Sequence, residues 1–297
     1  MSTNESTLPS EWTDFDRGDA ERGTDDLLER LRADPRTRAI VVREDRTPQL
    51  VEGRLRSVPV TEVTGSADWA FLGRTREGTA VLVAALTEPA SGDESWPLLR
   101  VAGGTLPAHD LGVIVTAVSL GRWLRDAPFC SACGARATLT QAGWARRCPS
   151  CGREHFPRTD PAVIVAVTSA GGQRLLLGHN AAWGDRPMYS AFAGFVEAGE
   201  SLEATIVREV EEEAGVVVTD LEYRGSQAWP YPRSLMLGFR ARATNEADAR
   251  PDGEEIVDMR WFDRDAVREA FAGRGDVQLP GAASIAHALI RDWMVDG

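Results

Sequence analysis

The sequence predicts an α+β protein whose C-terminal half is a sandwich of helices around a mixed β-sheet, preceded by a cysteine ribbon and a smaller α+β segment. Three observations support this prediction. Strand and helix patterns in the C-terminal half follow each other without strict βαβ alternation. Four cysteines form two CxxC pairs near the middle of the chain. The 297 residues also suffice for about two domains of ordinary size. We expect boundaries at 1–125, 126–157 and 158–297.

The composition excludes several classes of protein. A hydrophobic content of 43% and a charged content of 26% are typical of a soluble globular chain. No apolar stretch approaches the ~20 residues that span a bilayer, and the first residues lack a signal-peptide pattern, so we expect a cytoplasmic protein without a membrane partner. The net charge of −12 argues against a broad nucleic-acid surface. All basic residues are arginine, which excludes a lysine Schiff base or P-loop lysine.

The segment before the ribbon carries weaker functional signals. Its patterns predict helices over Thr24–Ala33 and His109–Arg125, and strands over Arg38–Val42, Trp69–Thr75 and Thr79–Thr87. Histidines, cysteines and carboxylates do not cluster here at spacings that chemistry would need. The sequence therefore assigns no function to this part of the chain.

The cysteines follow a C-x2-C-x14-C-x2-C pattern, at Cys130, Cys133, Cys148 and Cys151. Two such knuckles predict a tetrahedral zinc ribbon, because each presents two thiolates to one ion. Two disulfides or a redox CxxC pair are the alternatives, and both fit poorly with a chain predicted to be cytoplasmic. Four cysteine ligands leave no open coordination position, so we expect one structural Zn²⁺ per chain. Such a ribbon can bind nucleic acid, but the acidic chain favours a structural connector.

The C-terminal half carries a longer series of elements. We predict strands over Ala162–Thr168, Arg174–Gly178, a segment ending near Phe195, Val216–Gln227, Ser234–Ala243 and Ile256–Phe262, and helices over Leu202–Ala214, Asp265–Phe271 and Ala283–Trp293. Ser201 is placed to cap the start of the first of these helices, and Gly215 lies just past its end.

The first of these helices carries the most informative pattern. Glu209, Glu212 and Glu213 stand at i, i+3 and i+4, so their carboxylates project from one face. Like charges at this spacing repel, and divalent Mg²⁺ or Mn²⁺ would offset the repulsion because these ions prefer carboxylate oxygens. The alternative is a solvated acidic face. The glycines that bracket the helix favour the metal site.

Residues 194–216 match the pattern G-x5-E-x7-R-E-U-x-E-E-x-G-U, with U aliphatic, at every fixed position. The chain therefore resembles the Nudix hydrolases. The resemblance implies an α/β/α sandwich, and hydrolysis of a nucleoside diphosphate linked to another group with Mg²⁺ or Mn²⁺ on the glutamates. A non-catalytic nucleotide sensor with a zinc ribbon is a less favoured alternative, because such a protein would be expected to have lost one of these glutamates.

A loop downstream of this motif carries a second pattern. The segment SQAWPYPRS at residues 226–234 contains two prolines that fix φ, and aromatic rings suited either to core packing or to stacking on a base. It is similar to the SQPWPFPxS signature of the NAD(H) pyrophosphatase (NudC-like) branch, with Ala228 and Tyr231 as departures. The ribbon and the FPRTDP segment at 156–161 resemble the same branch.

The resemblance also implies roles for individual residues. It places metal ions on Glu209, Glu213, Glu255 and the Ala193 carbonyl, with Glu212 nearby. It places the dinucleotide, in a pocket shared by a homodimer, against Gln227, Ala228, Trp229, Pro230, Tyr231, Pro232, Arg233, Ser234, Ala286, Phe156 and Phe195.

The implied reaction converts NAD(H) and water to NMN(H) and AMP, with Glu212, Glu213 or Glu255 accepting the proton of the attacking water. Removal of an NAD cap from RNA would use the same site. Cleavage of another nucleoside-diphosphate derivative is the next alternative.

Overall fold

The computed structural model describes residues 15–44, 46–47, 50–87, 96–244 and 246–296. The described chain falls into two units. The N-terminal unit runs to Thr159 and also includes Trp229–Arg233, and the C-terminal unit comprises Asp160–Ala228 and the chain from Ser234 onward. The ribbon thus shares a unit with the N-terminal segment, and our division of the chain at 125 and 157 stays a prediction. Within the described ranges, no helix combines the length and apolarity needed to cross a bilayer.

The N-terminal unit is built on a five-stranded sheet with a long helix. Its strands are β1 (Phe15–Asp16), β2 (Arg38–Val42), β3 (Leu50–Val51), β4 (Arg54–Leu55), β5 (Val58–Pro59), β6 (Ala67–Thr75) and β7 (Ala80–Leu86), and its helices are α1 (Leu27–Ala33), α2 (Leu99–Ala102) and α3 (Ala108–Asp126). The sheet order is β1-β6-β7-β2-β5, with β2 and β7 parallel and the other pairs antiparallel. The apolar face of α3, including Ile114 and Val118, packs on Ile40 and Val83 of this sheet.

The ribbon is a three-stranded antiparallel sheet, ordered β10-β9-β8. Its strands are β8 (Thr138–Thr140), β9 (Ala145–Arg147) and β10 (Glu154–His155). Trp144 Nε1 donates to the Phe71 carbonyl at 2.6 Å, and the buried Arg146 donates to the Leu124 carbonyl at 2.5 Å. A Cβ at Gly143 would lie 2.4 Å from the Ala70 Cβ, so the turn requires glycine there. These contacts join the ribbon to the N-terminal sheet and to α3.

The C-terminal unit has a six-stranded mixed sheet and three helices. Its strands are β11 (Asp160–Thr168), β12 (Arg174–Asn180), β13 (Phe192–Phe195), β14 (Val218–Trp229), β15 (Ser234–Ala243) and β16 (Ile256–Asp263), and its helices are α4 (Leu202–Ala214), α5 (Arg264–Phe271) and α6 (Ile285–Val295). The order is β14-β15-β11-β12-β16, with β13 paired to β11. β11 runs parallel to β15 and antiparallel to β12 and β13.

Both faces of this sheet are covered, because successive side chains of a strand point to opposite sides. On β11, Val163 and Val165 pack with the α4 residues Ile206 and Val210, whereas Ile164 packs toward α5 and α6. The unit is therefore an α/β/α sandwich around a mixed sheet, which confirms the predicted fold class.

The predicted elements are all present, and they differ from the structure mainly at their ends. Helix α4 and strands β2 and β15 have the predicted bounds. Helix α1 begins at Leu27 rather than Thr24, because Asp26 takes a left-handed backbone conformation with φ of 57°. Helix α6 begins at Ile285, after Ser284 caps its first turn by accepting a hydrogen bond from the His287 backbone.

Candidate active site

Helix α4 is oriented by its two ends and its apolar stripe. The Ser201 side chain accepts a hydrogen bond from the Ala204 backbone, and Gly215 ends the helix in the left-handed conformation with φ of 65°. Ile206 and Val210 are completely buried in the core. The rotation of the helix is thus fixed, and the exposed Glu211 points away from the core.

Arg208 ties the acidic residues of this region together. Its Nε and Nη2 donate to the two carboxylate oxygens of Glu200 at 2.7 and 2.9 Å, and Nη2 also donates to the Phe195 carbonyl at 3.0 Å. Its Nη1 lies 2.8 Å from Glu209 and 3.2 Å from Glu212. The hydrogen bonds from Arg208 are the main reason that the pKa of Glu200 is lowered to about 2. Arg208 therefore pairs with both Glu200 and Glu212.

Gly194 leaves the space that the Glu209 carboxylate occupies. A Cβ built on Gly194 would lie 1.9 Å from Glu209 Cδ and 2.0 Å from its Oε1. Any side chain at this position would therefore displace the carboxylate from the end of β13. The first glycine of the motif is required by this close approach of a side chain to the backbone.

Glu213 is a buried carboxylate with an unsatisfied oxygen. The residue is 5% exposed, and its Oε2 has no hydrogen-bond partner among the described residues. Burial raises the pKa of Glu213 to about 8, with further contributions from the negative charges of Glu255, Glu209 and Asp252, while a backbone hydrogen bond from Ala193 acts in the opposite direction. Burial also raises the pKa of Glu209, and the charges of Glu212 and Glu255 add to that shift. The fold thus places the acidic side chains of Glu209, Glu213 and Glu255 near one another, and their mutual repulsion is not fully offset by positive charge.

Glu255 joins this group from a turn that precedes β16. The Asn180 side chain donates to Glu255 Oε1 at 3.0 Å. The Asp252 carboxylate accepts from the backbone N–H groups of Glu254, Glu255 and Ile256 at 2.8, 3.0 and 2.9 Å, which fixes the turn. Asn180 and Asp252 are not among the predicted site residues, although an Asp-Gly pair such as Asp252-Gly253 is a recognised turn signal.

The four cysteine sulfurs converge in the ribbon, where they all lie within 4.8 Å of one another. The Cys130–Cys151 and Cys133–Cys148 sulfur distances are 3.6 and 3.4 Å, well beyond a disulfide bond of about 2.05 Å. The backbone N–H of Cys151 points at the Cys148 sulfur and is the main reason that the pKa of this thiol is lowered. The cluster has the ligand set of a structural zinc site.

Comparison with known proteins identifies the family. The model described as the NUDIX domain matches residues 158–279, and the model described as the NADH pyrophosphatase zinc ribbon domain matches residues 125–156. The "NAD-capped RNA hydrolase NudC" of Mycobacterium tuberculosis is 41% identical over 236 residues, which cover 75% of this chain and 74% of that protein. The chain belongs to the Nudix hydrolase family.

A second curated relative and one solved structure are similar to part of the chain. A Pseudomonas aeruginosa protein with the same printed name is 43% identical over 174 residues, which cover 59% of this chain and 58% of that protein. Among solved structures, a NUDIX hydrolase from Nitrosomonas europaea is 25% identical, with a TM-score of 0.38 and coverage of 51% of this chain and 96% of its own.

The carboxylates of this Nudix unit fit a divalent cation. The charge of Glu255 contributes to the raised pKa of both Glu209 and Glu213, the Glu213 side chain is buried, and its Oε2 has no partner among the described residues. A hard divalent cation takes oxygen ligands of this kind and would remove the repulsion among them. Glu212 lies at the edge, with a side chain that is 61% exposed. Ala193 lies on β13 beside Glu213, and the role of its carbonyl as a metal ligand stays a prediction.

The residues predicted to hold a dinucleotide are distributed between the two units. In the C-terminal unit, Gln227 links β14 to the start of α6: it donates to the Ala283 carbonyl at 2.8 Å and accepts from the Ile285 backbone at 2.7 Å. Ala286 is buried in the first turn of α6, and Phe195 is 55% exposed. Ser234 is buried at the start of β15.

The aromatic–proline loop belongs to the N-terminal unit. Trp229 and Tyr231 meet edge to face with ring centroids 4.9 Å apart, and Tyr231 packs against the core that α3 forms with its sheet. Pro230 is buried, whereas Ala228, Pro232 and Arg233 are exposed. Phe156, also in this unit, is 54% exposed. The core-packing alternative for this loop thus holds for Tyr231, and the contacts of these residues with a dinucleotide stay a prediction.

We expect the stability of the protein without Mg²⁺ or Mn²⁺ to fall as the pH rises from about 4.5 to about 8. The pKa of Glu213 is raised to about 8 in the folded state, so the folded chain holds a proton that the unfolded chain has released. The loss is on the order of a few kcal/mol. Urea unfolding of the zinc-loaded protein at a series of pH values measures it, with Glu213→Gln expected to flatten the profile. An unchanged profile in Glu213→Gln would contradict the assignment.

Proposed function

We propose that this Nudix hydrolase cleaves the diphosphate bond of NAD(H) to give NMN(H) and AMP, with Mg²⁺ or Mn²⁺ bound by Glu209, Glu213 and Glu255. The observation that carries the proposal is the buried Glu213, whose Oε2 has no partner among the described residues and lies near the charges of Glu209 and Glu255, an arrangement that a divalent cation would stabilise. The net charge of −12 also supports bound cations, because the acidic chain would repel a diphosphate substrate without them.

Each residue of the site has a distinct role in this proposal. Arg208 holds Glu200, Glu209 and Glu212 in register through its forked hydrogen bonds. When bound, the cations neutralise the diphosphate and make the attacking water more acidic. One of the carboxylates Glu212, Glu213 and Glu255 accepts the proton of that water.

NAD-capped RNA is the second candidate substrate. The curated relatives from Mycobacterium tuberculosis and Pseudomonas aeruginosa are both named as NAD-capped RNA hydrolases. The same diphosphate bond is cleaved in the cap and in free NAD(H), so one set of carboxylates serves both. The difference lies only in what is attached beyond the adenosine.

Three further properties accompany the proposed activity. We propose a homodimer, with the exposed rings of Phe156 and Phe195 as stacking faces for a base. The four cysteines are free thiols at zinc-ligand spacing, which favours a reducing compartment such as the cytoplasm. The ribbon zinc has a structural role and takes no part in the hydrolysis.

The test is mass spectrometry of the products formed from NADH and from NAD-capped RNA in H₂¹⁸O with Mn²⁺. We expect NMNH and AMP from the first substrate, and NMN with 5′-monophosphate RNA from the second, with ¹⁸O in one new phosphate oxygen of each pair. Product formation should stop when EDTA is added. Release of nicotinamide, or products without ¹⁸O, would contradict diphosphate hydrolysis, and the ratio of the two rates identifies the preferred substrate.

A further inference from the structure

The N-terminal unit contains a cleft that the proposed hydrolysis does not use. Its volume is about 550 Å³, within the range of small-molecule sites. Val41 of β2, Val58 of β5 and Leu86 of β7 contribute to its lining. These strands at one edge of the five-stranded sheet therefore give the cleft an apolar wall.

Beside this wall lies a stacked pair formed by Arg43 and Trp96. The Arg43 guanidinium lies 4.7 Å from the centroid of the Trp96 ring. Arg46 fixes the tryptophan by donating to its backbone carbonyl at 2.9 Å. The Nε of Arg43 is buried and lacks a hydrogen-bond partner in the described part of the chain. The stack on Trp96 thus holds the Arg43 guanidinium at the lining of the cleft.

A second arginine makes the cleft locally basic. The Arg56 side chain is exposed, and no carboxylate of the described ranges forms an ion pair with it. Glu62 is the one acidic residue of the described lining, so two guanidinium groups face one carboxylate in a chain of net charge −12. The turn at residues 64–66 adds two hydroxyl side chains to the same cleft. The lining thus combines an apolar wall, two guanidinium groups and several polar side chains.

We propose that this cleft binds a nucleoside phosphate. The base lies against the valine and leucine wall near Trp96, and the phosphate lies between the guanidinium groups of Arg43 and Arg56. Two forked donors match a phosphate better than a single carboxylate, because each guanidinium can form paired hydrogen bonds with its oxygens. The ligand is either a free nucleotide or one nucleotide of an RNA chain. The inference goes beyond the proposed hydrolysis and does not depend on it.

The experiment is titration calorimetry of the full chain without Mg²⁺ or Mn²⁺, with AMP, adenosine and a 5′-phosphorylated RNA hexamer as separate probes. Omitting these ions leaves the acidic site of the C-terminal unit repulsive to phosphate. We expect Arg56→Gln to weaken binding by about tenfold or more, the loss of a charged hydrogen-bond donor. Arg100→Gln, at an exposed arginine of the same unit outside the cleft, is the matched control and should bind as the parent does.

The outcomes distinguish a free nucleotide from an RNA chain as the ligand. Binding of AMP that is lost in Arg56→Gln and absent for adenosine identifies a free-nucleotide site. Binding of the hexamer that AMP does not displace, again lost in Arg56→Gln, identifies an RNA site. The proposal is overturned if no probe binds, or if binding is the same in Arg56→Gln and Arg100→Gln. Because the NADH assay reports on the carboxylates of the C-terminal unit and not on Arg56, failure here leaves the proposed hydrolysis to its own test.

Discussion

Glu213→Gln is expected to lower the turnover of NADH by a factor on the order of 10³ while leaving the fold intact. The amide has nearly the same shape as the carboxylate, but it carries no charge for a cation and cannot accept a proton. Because the folded parent without bound cations holds a proton on Glu213 below about pH 8, the amide replaces a neutral carboxyl group, and the fold should be about as stable as that of the parent. Steady-state hydrolysis with Mn²⁺, measured together with thermal unfolding, tests both statements.

Glu211→Gln is the matched control for this substitution. Glu211 lies on the same helix, and its substitution by Gln replaces a carboxylate with an amide in the same way. The side chain of Glu211 is exposed on a different face of the helix. We expect its turnover to remain within about twofold of the parent, as for surface substitutions away from functional groups. Equal activity in both variants would mean that Glu213 takes no part in the hydrolysis, and that the catalytic assignment is wrong.

Cys148→Ser is expected to remove zinc from the ribbon and to unfold this segment. Cys148 is 1% exposed, and its sulfur lies 3.4 Å from that of Cys133. The ribbon strands are only two or three residues long, so their own packing contributes little. Binding of structural zinc is worth about 10–16 kcal/mol in zinc-finger peptides, and that free energy is available only to the folded ligand set.

Two measurements follow the loss of zinc. Metal content should fall from about one zinc per chain toward zero, and limited proteolysis should begin to cut between residues 130 and 151. Ser150→Ala changes an exposed residue of the same knuckle without removing a ligand, and it should keep both the metal and the resistance to protease. A Cys148→Ser protein that retains full zinc and resists protease would show that the cysteines do not hold the metal.

Helix α4 shows how much local sequence can specify. Its bounds, its Ser201 cap and its Gly215 stop all agree with the prediction. These features arise from residues within one or two turns of each other, so a single stretch of sequence contains the information. The cysteine knuckles are equally local, and the four sulfurs meet as their spacing predicts.

The surroundings of the glutamates required the tertiary structure. Asn180 reaches Glu255 across 75 positions of sequence, and the raised pKa of Glu213 comes first from burial and then from charges on other elements. The requirement for glycine at position 194 also needed the tertiary structure, because it comes from the close approach of the Glu209 carboxylate to the Gly194 backbone. The sequence shows that carboxylates share one face of a helix, but burial depends on what packs over that face.

The sequence by itself determined the family motif, the metal-binding residue types, the zinc ribbon and the order of the sheet's strands and helices along the chain, because these depend on residue spacing and short-range periodicity. The tertiary structure alone decided that Glu213 is buried with an unpartnered oxygen, that Tyr231 packs in the N-terminal unit, and that Arg43 stacks on Trp96 beside a cleft. These features join residues far apart in the chain, and only the folded packing sets the solvation and charge that give them chemical meaning.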